Sequence, residues 1–416
     1  MLQNPAQPTS PAQSDLSFAE FVALMAVMMA LTALTVDIML PALGQIGQEL
    51  GLPGDNDRQL IITYYLVGFA IGQVVWGPLS DRLGRKKPLY AGLAIYVLGS
   101  VATALADGAA LMFAARAVQG LGAAAPRIIA IAIVRDRYAG REMARVMSFV
   151  MMVFIVMPIM APAIGQGVML FGPWRLIFAI LLAVSLVILV WAWLRLPETH
   201  QPEKRQGLGL SGLGSALRTI VTARQTVGYA LGFCFFLGVL MSYVGSAEQI
   251  FIDVYGLGTR FPLVFGAISS VMILASVTNA RLVGWLGMRR VSHSALLAFV
   301  GVCAVMALLG YPEKPPLIVF CLFIASTFFC FGLIGPNFNA MAMEPAGKIA
   351  GTASSFIGFY TTAAGAFFGY LIGQSFDGTV RPLAIGFTVL GLGCLVTVLI
   401  VERGRLMQPH HSPPKG

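Results

Sequence analysis

Charge is scarce in this chain. Asp, Glu, Lys and Arg make up 11% of its 416 residues, whereas 57% are hydrophobic. With a mean hydropathy of +0.82, that balance excludes a soluble globular domain of this length. Cysteine is also sparse: Cys234, Cys303, Cys321, Cys330 and Cys394 fall in apolar runs without C-x-x-C spacing. They read as small core residues and suggest neither a disulfide framework nor a zinc site. The four histidines, His200, His293, His410 and His411, fall in loops, at a helix start or in the tail, which argues against an intramembrane histidine relay or metal centre. No cofactor is expected. Residues 1–15 are rich in Pro, Gln and Ser and lack a basic start, so no cleavable signal is expected and the first helix stays in the protein. The apolar runs are continuous and do not alternate, which excludes a β-barrel.

What the chain does have is apolar length. Runs of about 20 residues, enough for an α-helix to cross about 30 Å of hydrocarbon, occur at 18–43, 59–79, 88–106, 109–134, 145–168, 174–194, 225–247, 261–284, 292–310, 316–340, 349–374 and 382–401. They predict an all-α membrane protein of twelve transmembrane helices. Bases crowd alternate connections: Arg82, Arg85, Lys86 and Lys87, then Arg135, Arg137, Arg141 and Arg145, then Arg195, Lys204, Arg205, Arg218 and Arg224, then Arg281, Arg289 and Arg290. The other set holds only Arg58, Arg175, Arg260, Lys314 and Arg381. The positive-inside rule therefore places both termini in the cytoplasm. The net charge of +9 answers to the anionic lipid surface, and no nucleic-acid partner is called for.

The connection at 197–224 divides the spans six and six. The expected order is a disordered N-terminus (1–17), a six-helix bundle (18–196), a cytoplasmic linker (197–224), a second six-helix bundle (225–401) and a tail (402–416). An echo supports the division: GPLSDRLGRKK at 77–87 returns in degraded form at 280–290, where Gly287 aligns with Gly84 and Gly284 stands where Asp81 would be. Such repeats suit two pseudo-symmetric halves that rock about a midplane site.

Asp37 is the one acid well inside a predicted span. An ionised carboxylate there costs about 3 kcal/mol, so it is a candidate for proton exchange. Pro41 lacks the N–H that the Asp37 carbonyl would bond in a continuous helix, so acid and helix defect coincide. Arg116 is expected at a similar depth and can face Asp37. Arg127 follows by eleven residues, which returns it to nearly the same helix face. Two readings stand for it. On a cavity wall it makes the site positive and favours neutral or anionic ligands; near the helix end it snorkels or pairs with Asp136. Tyr64, Tyr65, Gln119, Phe236, Tyr243, Asn337, Asn339 and Tyr360 are further candidates for the cavity wall, and Glu248 reads as a solvated acid at the outer mouth or a second proton site. The spans contain no G-x-S-x-G and no intramembrane histidine base, so an intramembrane enzyme is disfavoured.

The 77–87 loop resembles the G-x-L-x-D-R-x-G-R-K/R-K/R signature of the major facilitator superfamily, and LMFAARAVQGLG at 111–122 is similar to its fourth-span motif. DIMLPAL at 37–43, the VRDRY at 134–138, and LPET at 196–199 resemble drug:proton antiporters of the bicyclomycin/chloramphenicol-resistance branch. PIMAPAIG at 158–165 looks like the antiporter motif, with Ala161 in place of a glycine; Pro158, Pro162 and Gly165 give a kinked helix with a smooth packing face. The resemblance implies a bacterial inner membrane as the location and proton-coupled export of small drugs by a monomer through alternating access, with Asp37 and Arg116 in coupling. It also implies a latch of Gly77, Asp81, Arg82, Gly84, Arg85 and Lys86 that reaches the start of span eleven near Gly351. The alternative on the same fold is a proton-coupled transporter of a sugar, amino acid or organic anion.

Overall fold

A computed structural model describes residues 16–200, 220–345 and 350–408. The helices are α1 (Phe18–Asp37), α2 (Leu43–Glu49), α3 (Leu60–Leu83), α4 (Lys86–Ala104), α5 (Ala109–Arg137), α6 (Gly140–Met169), α7 (Arg175–Arg195), α8 (Arg224–Glu248), α9 (Phe261–Leu308), α10 (Leu317–Met343), α11 (Ala350–Gln374) and α12 (Arg381–Val401). Ten helical stretches among the described residues are long and apolar enough to cross a membrane. The stretch Gly258–Leu308 holds two spans, because α9 bends at Gly287. Lys86–Ala104 is long enough but less apolar, since it opens on Lys86 and Lys87 and carries Gly92, Ser100 and Thr103 on its buried face. With both counted, the fold has the twelve expected spans. Their ends differ from expectation at the first, which runs on to Glu49 through a 3-10 turn at Leu40–Ala42.

The glycines of the echo share one backbone conformation. Gly84 has φ 89° and ψ 173°, and Gly287 has φ 77° and ψ 159°. A residue with a Cβ is strained there, so each glycine turns the chain from one span into the next.

Packing follows the positions of small residues. α5 packs against both α3 and α4. A Cβ on Gly120 would lie 2.0 Å from the Tyr65 carbonyl oxygen of α3, and one on Gly122 would lie 2.3 Å from the Tyr96 nitrogen of α4. In the Q-G-x-G phrase of α5 the first glycine therefore admits α3 and the second admits α4, in the manner of small-residue contacts between membrane helices. The helices up to α7 form one bundle, and α8 to α12 form the other; α3 with α11 and α6 with α9 join them. The expected linker lies largely outside the described residues.

Candidate functional site

α1 stops at Asp37, and Pro41 sits in the 3-10 turn that follows. The break is held by α6: a Cβ on Gly165 would lie 1.8 Å from the Ile38 carbonyl oxygen. Pro158 and Pro162 lie inside α6 on the approach to that crossing. Asp37 is 5% exposed, and its carboxylate makes no hydrogen bond or ion pair to a described residue.

Arg116 is fully buried on α5. Its Nε donates to the Ile61 carbonyl at 3.1 Å, Nη1 donates to Gln119, and the guanidinium lies 4.6 Å over the Tyr65 ring. Gln119 in turn donates to Ser100 of α4 at 2.8 Å. Arg116 Nη2 is buried without a hydrogen-bond partner. The expected approach of Arg116 to Asp37 is not realised as an ion pair: carbonyl, amide and ring partners surround the cation where the carboxylate was expected. Tyr65 itself packs with Phe69 at 6.2 Å and donates to the Thr32 carbonyl at 3.5 Å.

Arg127 is half-buried, with its guanidinium 5.5 Å from the Phe69 ring of α3 and 5.4 Å from the Phe154 ring of α6. Those two helices carry the contacts between the bundles. Arg127 does not pair with Asp136, which accepts from Arg85 Nε at 2.7 Å and Nη2 at 3.1 Å. No carboxylate among the described residues lies within ion-pair distance of Arg127.

The other wall candidates divide. Phe236 packs among Phe299, Phe331 and Phe338, and Tyr243 among Phe251, Phe265 and Phe328. Both are buried in the core of the second bundle; on helices apolar all round, sequence does not say which face is inward. Asn337 is buried and donates to Asn279 at 2.7 Å. Asn339 is exposed, Tyr64 stacks on Phe113, and Tyr360 is an exposed ring stacked on Phe356.

The GPLSDRLGRKK, VRDRY and LPET phrases at the basic end meet in space. Arg85 Nη1 reaches Asp81 at 2.6 Å and Ser80 at 3.0 Å. Glu198 accepts from the Arg85 and Lys86 amides at 2.8 and 3.1 Å, capping α4, and Thr199 donates to Asp136 at 3.2 Å. Among the described residues Asp81 pairs with Arg85; residues 346–349, just before the start of α11, lie outside the described residues. α11 does come close one turn earlier, where a Cβ on Gly77 would lie 2.6 Å from Ser355 Oγ. Arg82 is exposed. The second bundle has its own version: Arg289 Nε donates to Glu402 at 3.0 Å, and Tyr229 donates to the same carboxylate. His293, expected at a helix start, is buried within α9, with Nδ1 accepting from the Met407 amide at 3.0 Å.

Arg85 grips Asp136 with a planar fork that lysine cannot reproduce. Arg85→Lys is expected to lower stability by about 2 kcal/mol, read as a lower thermal midpoint in detergent, while the charge is unchanged.

Sequence reasoning missed the polar cluster at the far end. Glu248 is 3% exposed and lies 3.0 Å from Arg58, so it is not a solvated acid. Arg58, a base in an otherwise base-poor connection, was the available signal.

Comparison with known proteins agrees with this geometry. Residues 16–370 match the model of the Major Facilitator Superfamily. A bicyclomycin resistance protein homolog of Haemophilus influenzae is 30% identical over 368 residues, covering 88% of this chain and 90% of the relative. A chloramphenicol resistance protein of Pseudomonas aeruginosa is 30% identical over 287 residues, covering 66% of this chain and 67% of the relative. A solved D-xylose-proton symporter superposes with a TM-score of 0.73 at 12% identity, covering 94% of this chain and 99% of that one. Twelve apolar spans, two bundles joined through α3–α11 and α6–α9, and paired glycine turns at 84 and 287 are thus those of a multi-pass membrane transporter of small molecules: the chain belongs to the Major Facilitator Superfamily.

Proposed function

We propose that this transporter exports small neutral or anionic drugs in exchange for protons. The observation that carries the reading is Asp37: a buried carboxylate at a break in α1, without a hydrogen bond or ion pair to a described residue. A carboxylate left without compensation in a low-dielectric site is driven to exchange its proton when the site changes its access to water. The relatives named for resistance to bicyclomycin and chloramphenicol support drugs as the cargo.

Arg127 supports the charge preference. With Arg116 it gives the first bundle two buried or half-buried guanidiniums without a carboxylate partner among the described residues, and its contact with Phe69 and Phe154 suits an aromatic ligand carrying an oxygen acceptor or anion. Cations are repelled by the same pair. The units are 18–196 and 225–401, joined by 197–224, in a monomer whose basic end and both termini face the cytoplasm of a bacterial inner membrane. The bundles rock about the midplane, and the Arg85 cluster braces the basic end of the first bundle as they do.

The test is drug uptake into everted vesicles with an acidic lumen, so that protons run outward as drug enters, with a phenicol, a sulfonamide and a lipophilic cation as cargo. Gradient-driven accumulation of the phenicol or sulfonamide is expected, and loss of it with an uncoupler. Accumulation of the cation alone would overturn the charge argument, and transport of a sugar or amino acid in place of drugs would overturn export of drugs.

A further inference from the structure

At the end away from the Arg85 cluster, a polar seam joins the two bundles. From the first bundle it uses residues 55–59, with Gly44 lying against Glu248. Asn56 Nδ2 donates to the carbonyls of Gln374 and Phe376 at 3.1 and 2.8 Å, and Gln374 returns a bond to the Asn56 carbonyl at 3.0 Å. Gln249 donates to the Asp55 carbonyl at 3.2 Å and to Asn56 Oδ1 at 2.9 Å, while Gln59 donates to Gln249 and to the Gly373 carbonyl at 3.2 Å. Arg58 closes the seam against Glu248 and Asp253.

Glu248 differs from its neighbours. It is the last residue of α8, where the chain passes into a π-helical turn at Gln249–Val254; such turns are rare and often mark functional sites. It is buried, its Oε1 would lie 2.8 Å from a Cβ on Gly44 of α2, and its Oε2 has no hydrogen bond despite the nearby guanidinium. Arg58 is shared: Asp253, whose side chain is 47% exposed, holds its other nitrogen. The remaining charged groups of the adjoining elements are engaged elsewhere. Glu49 accepts from Trp174 and Arg175, Asp57 from the Gly54 amide, and Asp377 from Thr379; Asp55 is exposed.

We propose that Glu248 is a second proton-binding residue, which closes this end when ionised and frees it when protonated. Adding a proton removes the buried partner of Arg58. The guanidinium is left with exposed Asp253, and the charge contact that fixes residues 55–59 deep in the second bundle among the described residues is gone. A proton that binds the open form better than the closed one shifts the balance between them. The inference rests on alternating access but not on Asp37.

A thiol at Gly245 reports on the seam, because a Cβ there lies 3.5 Å from Gln59 Oε1 and fits without a clash. In the full chain freed of its five cysteines and reconstituted in liposomes, Gly245→Cys is labelled with an impermeant maleimide, normalised at each pH to Gly54→Cys in the exposed loop. Acidification from about pH 8 to about pH 5.5 is expected to raise the normalised rate roughly fivefold. Glu248→Gln and Arg58→Gln are each expected to give the high rate at both pH values. Asp253→Asn keeps the response. Asp37→Asn keeps it as well, even where coupled transport is lost, which separates the two proposals. A Glu248→Gln or Arg58→Gln protein that follows the original pH response overturns the inference, as does a response that disappears with Asp37→Asn.

Discussion

Asp37→Asn is expected to abolish proton-driven drug accumulation while leaving drug binding and downhill exchange intact. Asparagine has nearly the shape of aspartate and removes only the proton-exchanging group. Asp37 has no ion pair among the described residues, so the change strands no buried cation, which is the usual cause of collapse when a buried pair is broken. Gradient-driven uptake in everted vesicles should fall by about tenfold or more, a coupling loss of about 1.4 kcal/mol at the least, and the response to the pH gradient should vanish. Asp37→Glu, which restores the carboxyl, should recover part of it. Undiminished, pH-responsive uptake by the asparagine variant would place the coupling proton elsewhere.

Gly165→Val is expected to have the largest structural effect. The crossing of α6 over the α1 break leaves no room for a Cβ, since the nearest atom is the Ile38 carbonyl oxygen at 1.8 Å. A backbone oxygen cannot rotate away like the tip of a side chain. Overpacking of this kind costs about 1–3 kcal/mol and more where nothing yields, and here it strikes the segment that carries Asp37. Loss of folded protein from the membrane, or a thermal midpoint lowered by several degrees, should accompany loss of transport. Gly167→Val is the control: a Cβ there meets nothing within 4 Å, and near-normal behaviour is expected. Equal damage from both would mean that valine itself, and not the α1–α6 contact, is at fault.

The two residues show how far a sequence of this kind can be read. Gly165 was legible as a packing glycine, because prolines at 158 and 162 and a small residue announce a kinked, smooth helix; its partner, the carbonyl beside Asp37, was not. Asp37 and Arg116 were assigned similar depths from their distance along their helices. Depth accumulates at about 1.5 Å per residue and can be counted. Lateral position cannot, and the structure sets Tyr65, Ile61 and Gln119 around the cation instead. The aromatic neighbours of Phe236 and Tyr243 were hidden for a related reason. A helix apolar on every side has no hydrophobic stripe from which to infer its inward face.

The sequence by itself determined that the chain lives in a bilayer and how many times it crosses, because hydrophobic length is a local property. Only the tertiary structure decided the partners: Glu198 over the start of α4, 113 residues from Arg85, Asp136 in the fork of Arg85, and Glu248 against Arg58, 190 residues apart. Charges in a medium with little water must find compensation wherever the packing of helices brings it. That packing is set by the azimuth and crossing of whole helices, which no local stretch of sequence encodes.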